Sequence, residues 1–129
     1  MEGKRQSRAM IVDDSRAMRM ILRKVLVALG YDACDAGNGQ EALDLLAREE
    51  ASPSFLLVDW NMPIMSGLEL VKAVRANARY THIPVIMVTT ETEIDHISQA
   101  LEAGANEYVM KPFTAAVLED KLRSMKLIQ

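Results

Sequence analysis

The chain has 129 residues, half of them apolar and 26% charged, a size that fits one domain and allows a sizeable core. Fifteen Lys and Arg against 18 Asp and Glu give a formal charge of −3, which lacks the basic footprint of non-specific nucleic-acid binding. No apolar run is long enough to span a bilayer, and residues 1–8 carry charge without the apolar stretch of a signal peptide, so they read as a flexible tail.

Short apolar runs alternate with helical patterns. Ala9–Val12 reads as a buried strand, followed by Asp13 and Asp14. A helix is predicted from about Ser15 to Leu29, with Met18, Ile21, Leu22, Val25 and Leu29 at helical spacing and Gly30 at its end. Ala33–Ala36 is a weak second strand, and Asn38 with Glu41 has the spacing of a capping box that opens the second helix. Phe55–Val58 is a third strand leading into Asp59, and Ser66 with Glu69 opens the third helix. Val85–Val88 leads into Thr89 and Thr90. Thr92 with Asp95, an Asp in the place of Glu, opens a fourth helix that Gly104 closes. Tyr108–Met110 leads into Lys111 and Pro112, and Thr114 caps a last helix reaching about Lys126. Five strand–helix alternations with strands apolar throughout predict an α/β domain with a parallel sheet and right-handed crossovers. One domain then occupies residues 1–129, with its core at about 9–126 and nothing left for an output domain. The single cysteine, Cys34, excludes an internal disulfide and fits a reducing cytoplasm.

Ligands of open α/β sheets bind beyond the carboxyl ends of the strands. There the sequence puts Asp13 and Asp14, Asp59, Thr89 and Thr90, and Lys111. Each residue alone has an ordinary use. The Asp pair can cap a helix, Thr89 can merely end a strand, and Lys111 can be a solvated charge. Asp59 is harder to dismiss, because a carboxylate at the end of a buried strand is costly without a partner. Together they make a site: crowded carboxylates repel until a divalent cation relieves them, and all-oxygen donors suit Mg²⁺. A carboxylate is also a competent nucleophile towards phosphorus, and phosphoryl transfer asks mainly for positioning and charge neutralisation.

The segments Ile11-Val12-Asp13-Asp14-Ser15, Val58-Asp59-Trp60-Asn61-Met62-Pro63, Ser66-Gly67, Met87-Val88-Thr89 and Tyr108-Val109-Met110-Lys111-Pro112-Phe113-Thr114 resemble bacterial response-regulator receiver domains over residues 9–126, most closely those of the stand-alone chemotaxis type. The resemblance implies a flavodoxin-like doubly wound (βα)5 fold with strand order 2-1-3-4-5, an order this family shares. It implies a two-component response regulator that is not an enzyme beyond its own phosphorylation and dephosphorylation. Asp59 is then the phosphoacceptor, Asp14, Asp59 and the Asn61 carbonyl the Mg²⁺ ligands, and Asp13 a ligand through water. Lys111 then pairs the phosphate through its ammonium, the Lys111–Pro112 bond is expected to be cis, Thr89 and Tyr108 form the switch, and Asn61 with Glu91 tunes hydrolysis. Trp60, beside Asp59, is expected to sense metal and phosphate. The sequence departs from the chemotaxis type at Ser15, where an aromatic residue is usual, at Arg16, and after Glu91.

Partners implied are a sensor histidine kinase or histidine phosphotransfer domain and a downstream protein, a flagellar motor component or an enzyme, with no nucleic acid and no membrane. The fourth helix carries Ile94, Ile97 and Leu101 in a stripe. It reads either as core or, with Tyr108, as the partner surface. A phosphorelay shuttle passing phosphate to a histidine phosphotransfer domain is the alternative function. A hydrolase working through an aspartyl intermediate ranks below both, since it needs a second acid and a cap domain.

Overall fold

The structure, a computed structural model, describes residues 8–48, 52–90, 95–111 and 113–127. Strands β1 (Arg8–Val12), β2 (Asp32–Ala36), β3 (Phe55–Asp59), β4 (Val85–Thr89) and β5 (Glu107–Met110) alternate with helices α1 (Arg16–Ala28), α2 (Gly39–Arg48), α3 (Gly67–Ala76), α4 (Ile97–Ala103) and α5 (Ala115–Ser124). The strands form one parallel sheet in the order β2-β1-β3-β4-β5.

The alternation of side chains along a strand divides the core in two. Met10, Val12, Leu56, Val58, Val85 and Met87 face α2, α3 and α4, where Leu46, Leu70, Val74 and Ala100 meet them. Ala9, Ile11, Phe55, Leu57, Ile86 and Val88 face α1 and α5, against Leu22, Leu26, Leu118 and Leu122. Each large apolar side chain so buried contributes about 1.5–3 kcal/mol, which is why β3 and β4 are apolar on both faces.

Most predicted boundaries hold. Ser15 caps α1 by accepting from Met18 N–H, Thr114 caps α5 by accepting from Val117 N–H, and Ser66 with Glu69 forms a complete capping box. The Asn38–Glu41 box is half made. Asn38 accepts from Glu41 N–H at 2.9 Å, but the Glu41 carboxylate turns to Gly37 N–H at 2.6 Å instead of Asn38. Gly30 and Gly104 end α1 and α4 at φ +94° and +122°. The predicted apolar stripe of α1 needs one correction: Ile21 is 54% exposed, and Leu26 takes the buried place. One heptad offers more apolar positions than the sheet can cover.

Thr92, Glu91, Ile94, Pro112 and residues 1–7 lie outside the described residues, and with them the fourth capping box, the cis bond and the tail. Among the described residues no helix is long and apolar enough to cross a membrane.

Candidate functional site

The strand register assembles the site. Val12 pairs with Val58, so the residues that follow, Asp13 and Asp59, emerge side by side. Asp59 pairs with Val88, which puts Thr89 one step further along. Thr89 pairs with Met110, which puts Lys111 one step beyond that. The Lys111 N–H donates to the Thr89 carbonyl at 2.6 Å and ties the two strand ends together.

Carboxylate oxygens of Asp13, Asp14 and Asp59 lie within 4.8 Å of one another. Asp13 and Asp59 are buried, while Asp14 is exposed. Asp13 Oδ1 accepts from Ser15 N–H at 2.8 Å, and the Arg19 guanidinium donates to the Asp13 main-chain carbonyl at 2.6 Å. The ammonium of Lys111 bridges the buried pair, 3.1 Å from Asp13 Oδ2 and 3.2 Å from Asp59 Oδ1. Burial pulls the pKa of Lys111 down, but the charges and hydrogen bonds of Asp59 and Asp13 outweigh it and hold the ammonium above its ordinary value. Two of the three carboxylates share this ammonium, and the cluster's donors are all hard oxygens. Such a set fits Mg²⁺.

Thr89 is fully buried, and its hydroxyl donates to the Thr90 carbonyl at 3.3 Å. Asn61 is exposed on the loop after β3. Trp60 points to the opposite face of the sheet from Asp59, packs against the α2–α4 side of the core and stacks on His96. Tyr108 is partly buried, with Lys121 Nζ 5.1 Å from its ring centroid. Of the stripe on α4, Ile97 is 8% exposed and belongs to the core, which removes it from the partner surface, whereas Leu101 is 42% exposed. Ile97 and Ala100, three positions apart, are both buried, so this face closes on the sheet while Leu101 on its flank reaches solvent.

The structure gives Gly67, Arg19 and Arg23 roles that the sequence alone did not assign. Gly67 N–H donates to the Trp60 carbonyl at 2.9 Å, and a Cβ on Gly67 would overlap the Asp59 carbonyl oxygen. Only glycine allows α3 to start this close to the end of β3. Arg19 and Arg23, four residues apart, both pair with Asp35 on β2, at 2.9 and 3.0 Å. That i,i+4 spacing opposite a lone acid was the available signal.

Residues 9–123 match the response regulator receiver domain. The chain belongs to that family. This receiver domain is 49% identical over 117 residues to a chemotaxis protein CheY homolog of Campylobacter jejuni, across 90% of this chain and 89% of that protein. It superposes on the chemotaxis response regulator CheY4 of Vibrio cholerae with a TM-score of 0.83 at 33% identity, over 93% of this chain and 98% of that one. It shares the fold of a sensor histidine kinase receiver domain from Pseudomonas aeruginosa, solved with a magnesium ion in its active site cleft, at TM-score 0.83 and 24% identity, over 93% and 97% of the two chains. As a receiver domain of the CheY-like kind it serves two-component signalling, in which such domains work with histidine kinases and downstream targets.

Proposed function

We propose that Asp59 is the phosphoacceptor of this receiver domain and that its phosphorylation switches a protein-binding surface. The observation that carries the reading is the Lys111 ammonium, held between Asp13 and Asp59 at 3.1 and 3.2 Å, where a phosphoryl group on Asp59 meets a cation already in place.

An oxygen of the Asp59 carboxylate attacks the phosphorus of a phosphohistidine on a sensor kinase or phosphotransfer domain. The O–P bond forms as the P–N bond breaks, and the imidazole leaves with the electron pair and takes up a proton. Asp14, Asp59 and the Asn61 main-chain carbonyl would hold Mg²⁺, with Asp13 acting through a water. When bound, the ion neutralises charge on the transferring group. Lys111 holds one phosphoryl oxygen. The Thr89 hydroxyl exchanges its 3.3 Å bond to Thr90 for another phosphoryl oxygen, which draws the end of β4 towards the site. Tyr108, on the neighbouring strand, follows that movement. Asn61 and Glu91 orient the water that later hydrolyses the aspartyl phosphate, so the chain catalyses only its own phosphorylation and dephosphorylation.

The surface that reads the switch lies around Tyr108 and includes the exposed Leu101 of α4 and Met110 of β5. The likeness to chemotaxis proteins favours a downstream protein such as a flagellar motor component over a phosphorelay shuttle. A cytoplasmic place of action fits a histidine kinase donor.

Incubation with acetyl phosphate and Mg²⁺, followed by intact-mass spectrometry, tests the reading. One added phosphoryl group is expected, dependent on Mg²⁺ and absent in Asp59→Asn. Undiminished labelling of Asp59→Asn moves the acceptor to another residue.

A further inference from the structure

Trp60 stands between Asp59 and Asn61 and is held on two sides. Its main chain is fixed by the bond from Gly67 N–H to its carbonyl, 2.9 Å, at the start of α3. Its indole lies parallel to the imidazole of His96, with ring centroids 5.2 Å apart and planes 12° from one another. This is a favourable offset-stacking range for aromatic rings.

His96 is the residue before α4, in the position where Ser, Thr, Asp or Asn would satisfy the first helical N–H groups. It does not do so: its side chain makes no capping hydrogen bond. The imidazole therefore serves the stack rather than the helix end. Its ring fixes the indole, and the indole is covalently continuous with the two residues on either side of it. A side chain at the start of α4 thus sets the orientation of the peptide units flanking Trp60.

We propose that His96 is a positioning residue for the phosphoacceptor site: through Trp60 it preorganises the Asp59–Asn61 segment, and through the same contact α4 registers what is bound at Asp59. The proposal rests on the assignment of Asp59 as acceptor. Preorganised sites bind more tightly because less freedom is lost on binding, and coupling of this kind is reciprocal between the two ends.

The test uses the full chain and its affinity for beryllofluoride, a phosphoryl mimic, at fixed saturating Mg²⁺, read from Trp60 emission and independently by calorimetry. His96→Ala is expected to weaken beryllofluoride binding by about 3-fold to 10-fold, the range of one aromatic stack. His96→Phe, which keeps a ring and removes the titratable group, is expected to return affinity to within about 2-fold of wild type. In wild type, hydrogen exchange of the α4 amides changes on adding beryllofluoride, and in His96→Ala that change is lost. Wild-type affinity together with an intact α4 response in His96→Ala overturns the proposal while leaving Asp59 as acceptor. A wild-type protein that binds no beryllofluoride at all removes the acceptor assignment, and the proposal with it.

Discussion

Gly67 packs so closely against Asp59 that a single added carbon would strike the Asp59 carbonyl oxygen. The same carbon would stand 3.1 Å from Trp60 Cα and 3.0 Å from the Met87 methyl. Backbone cannot retreat as a flexible side chain can. Gly67→Ala is therefore expected to cost about 1–3 kcal/mol, the usual range for overpacking. The displaced segment should also bind Mg²⁺ more weakly. Urea denaturation and a Mg²⁺ titration of the variant measure the two effects. A variant as stable as wild type shows that α3 can slide away freely.

Metal-free protein holds three carboxylates with one ammonium. Mg²⁺ should raise the melting temperature, with a gain of about 1–2 kcal/mol at concentrations some tens of times the dissociation constant. Asp59→Asn, which removes one of the repelling charges, should be more stable than wild type without metal and should gain less from Mg²⁺. Thermal melts with and without Mg²⁺ decide the matter, and a melting temperature indifferent to the ion removes the metal assignment.

Lys111→Ala leaves Asp13 and Asp59 buried without the ammonium that bridges them. Breaking one side of such a pair costs about 3–5 kcal/mol. A divalent cation takes over part of the lost compensation, so the increment in stability on adding Mg²⁺ should be larger in Lys111→Ala than in wild type. Paired denaturation curves give both increments. Equal increments would mean that the ion and the ammonium do not share the same carboxylates.

Tyr31 is buried, packs edge-on to Phe55 with ring centroids 5.0 Å apart, and donates its hydroxyl to the Leu127 carbonyl at 2.8 Å. Burial raises its pKa above the ordinary phenol value. A group whose folded pKa is raised contributes stability that is complete below its unfolded pKa and is lost as pH climbs through the folded one. The stability of the protein should thus fall above about pH 10. Tyr31→Phe should lower stability at neutral pH by about 1 kcal/mol, one hydrogen bond, and flatten the alkaline fall. Denaturation midpoints from pH 8 to pH 11 test this, and identical alkaline limbs in both proteins would assign the fall to other groups.

Asn61 is exposed two residues after Asp59, and the proposed function gives it the task of orienting the hydrolytic water. Asn61→Lys is expected to lengthen the lifetime of the aspartyl phosphate several-fold. Decay of the phosphorylated mass after removal of acetyl phosphate measures it, and an unchanged rate withdraws the role.

The four strands other than β2 and the strand-end residues of the site were legible because buried parallel strands are written in apolar residues and stop at the first polar one, whereas the strand order was implied by the family resemblance alone. Asp59, Thr89 and Lys111 are those stops. Helix starts were legible where a hydroxyl caps them, as at Ser66 and Thr114. The inward turn of Ile97 was not legible, since three-residue and four-residue spacings mark a stripe without saying which way it faces. Nor was the need for glycine at 67, which arises from a close approach between two segments that the sequence does not place in space. The Trp60–His96 stack joins residues 36 positions apart through tertiary packing alone.

The order in which the chain leaves the ribosome gives the register a further meaning. Asp13 and Asp59 are made well before Lys111, yet the two carboxylates meet its ammonium only once β5 has joined the far side of β4. A growing chain that ends before residue 111 carries Asp13 and Asp59 without the Lys111 ammonium that bridges them. On the role proposed for Asp59, the cation that would meet its phosphoryl group is the last part of the site to be made.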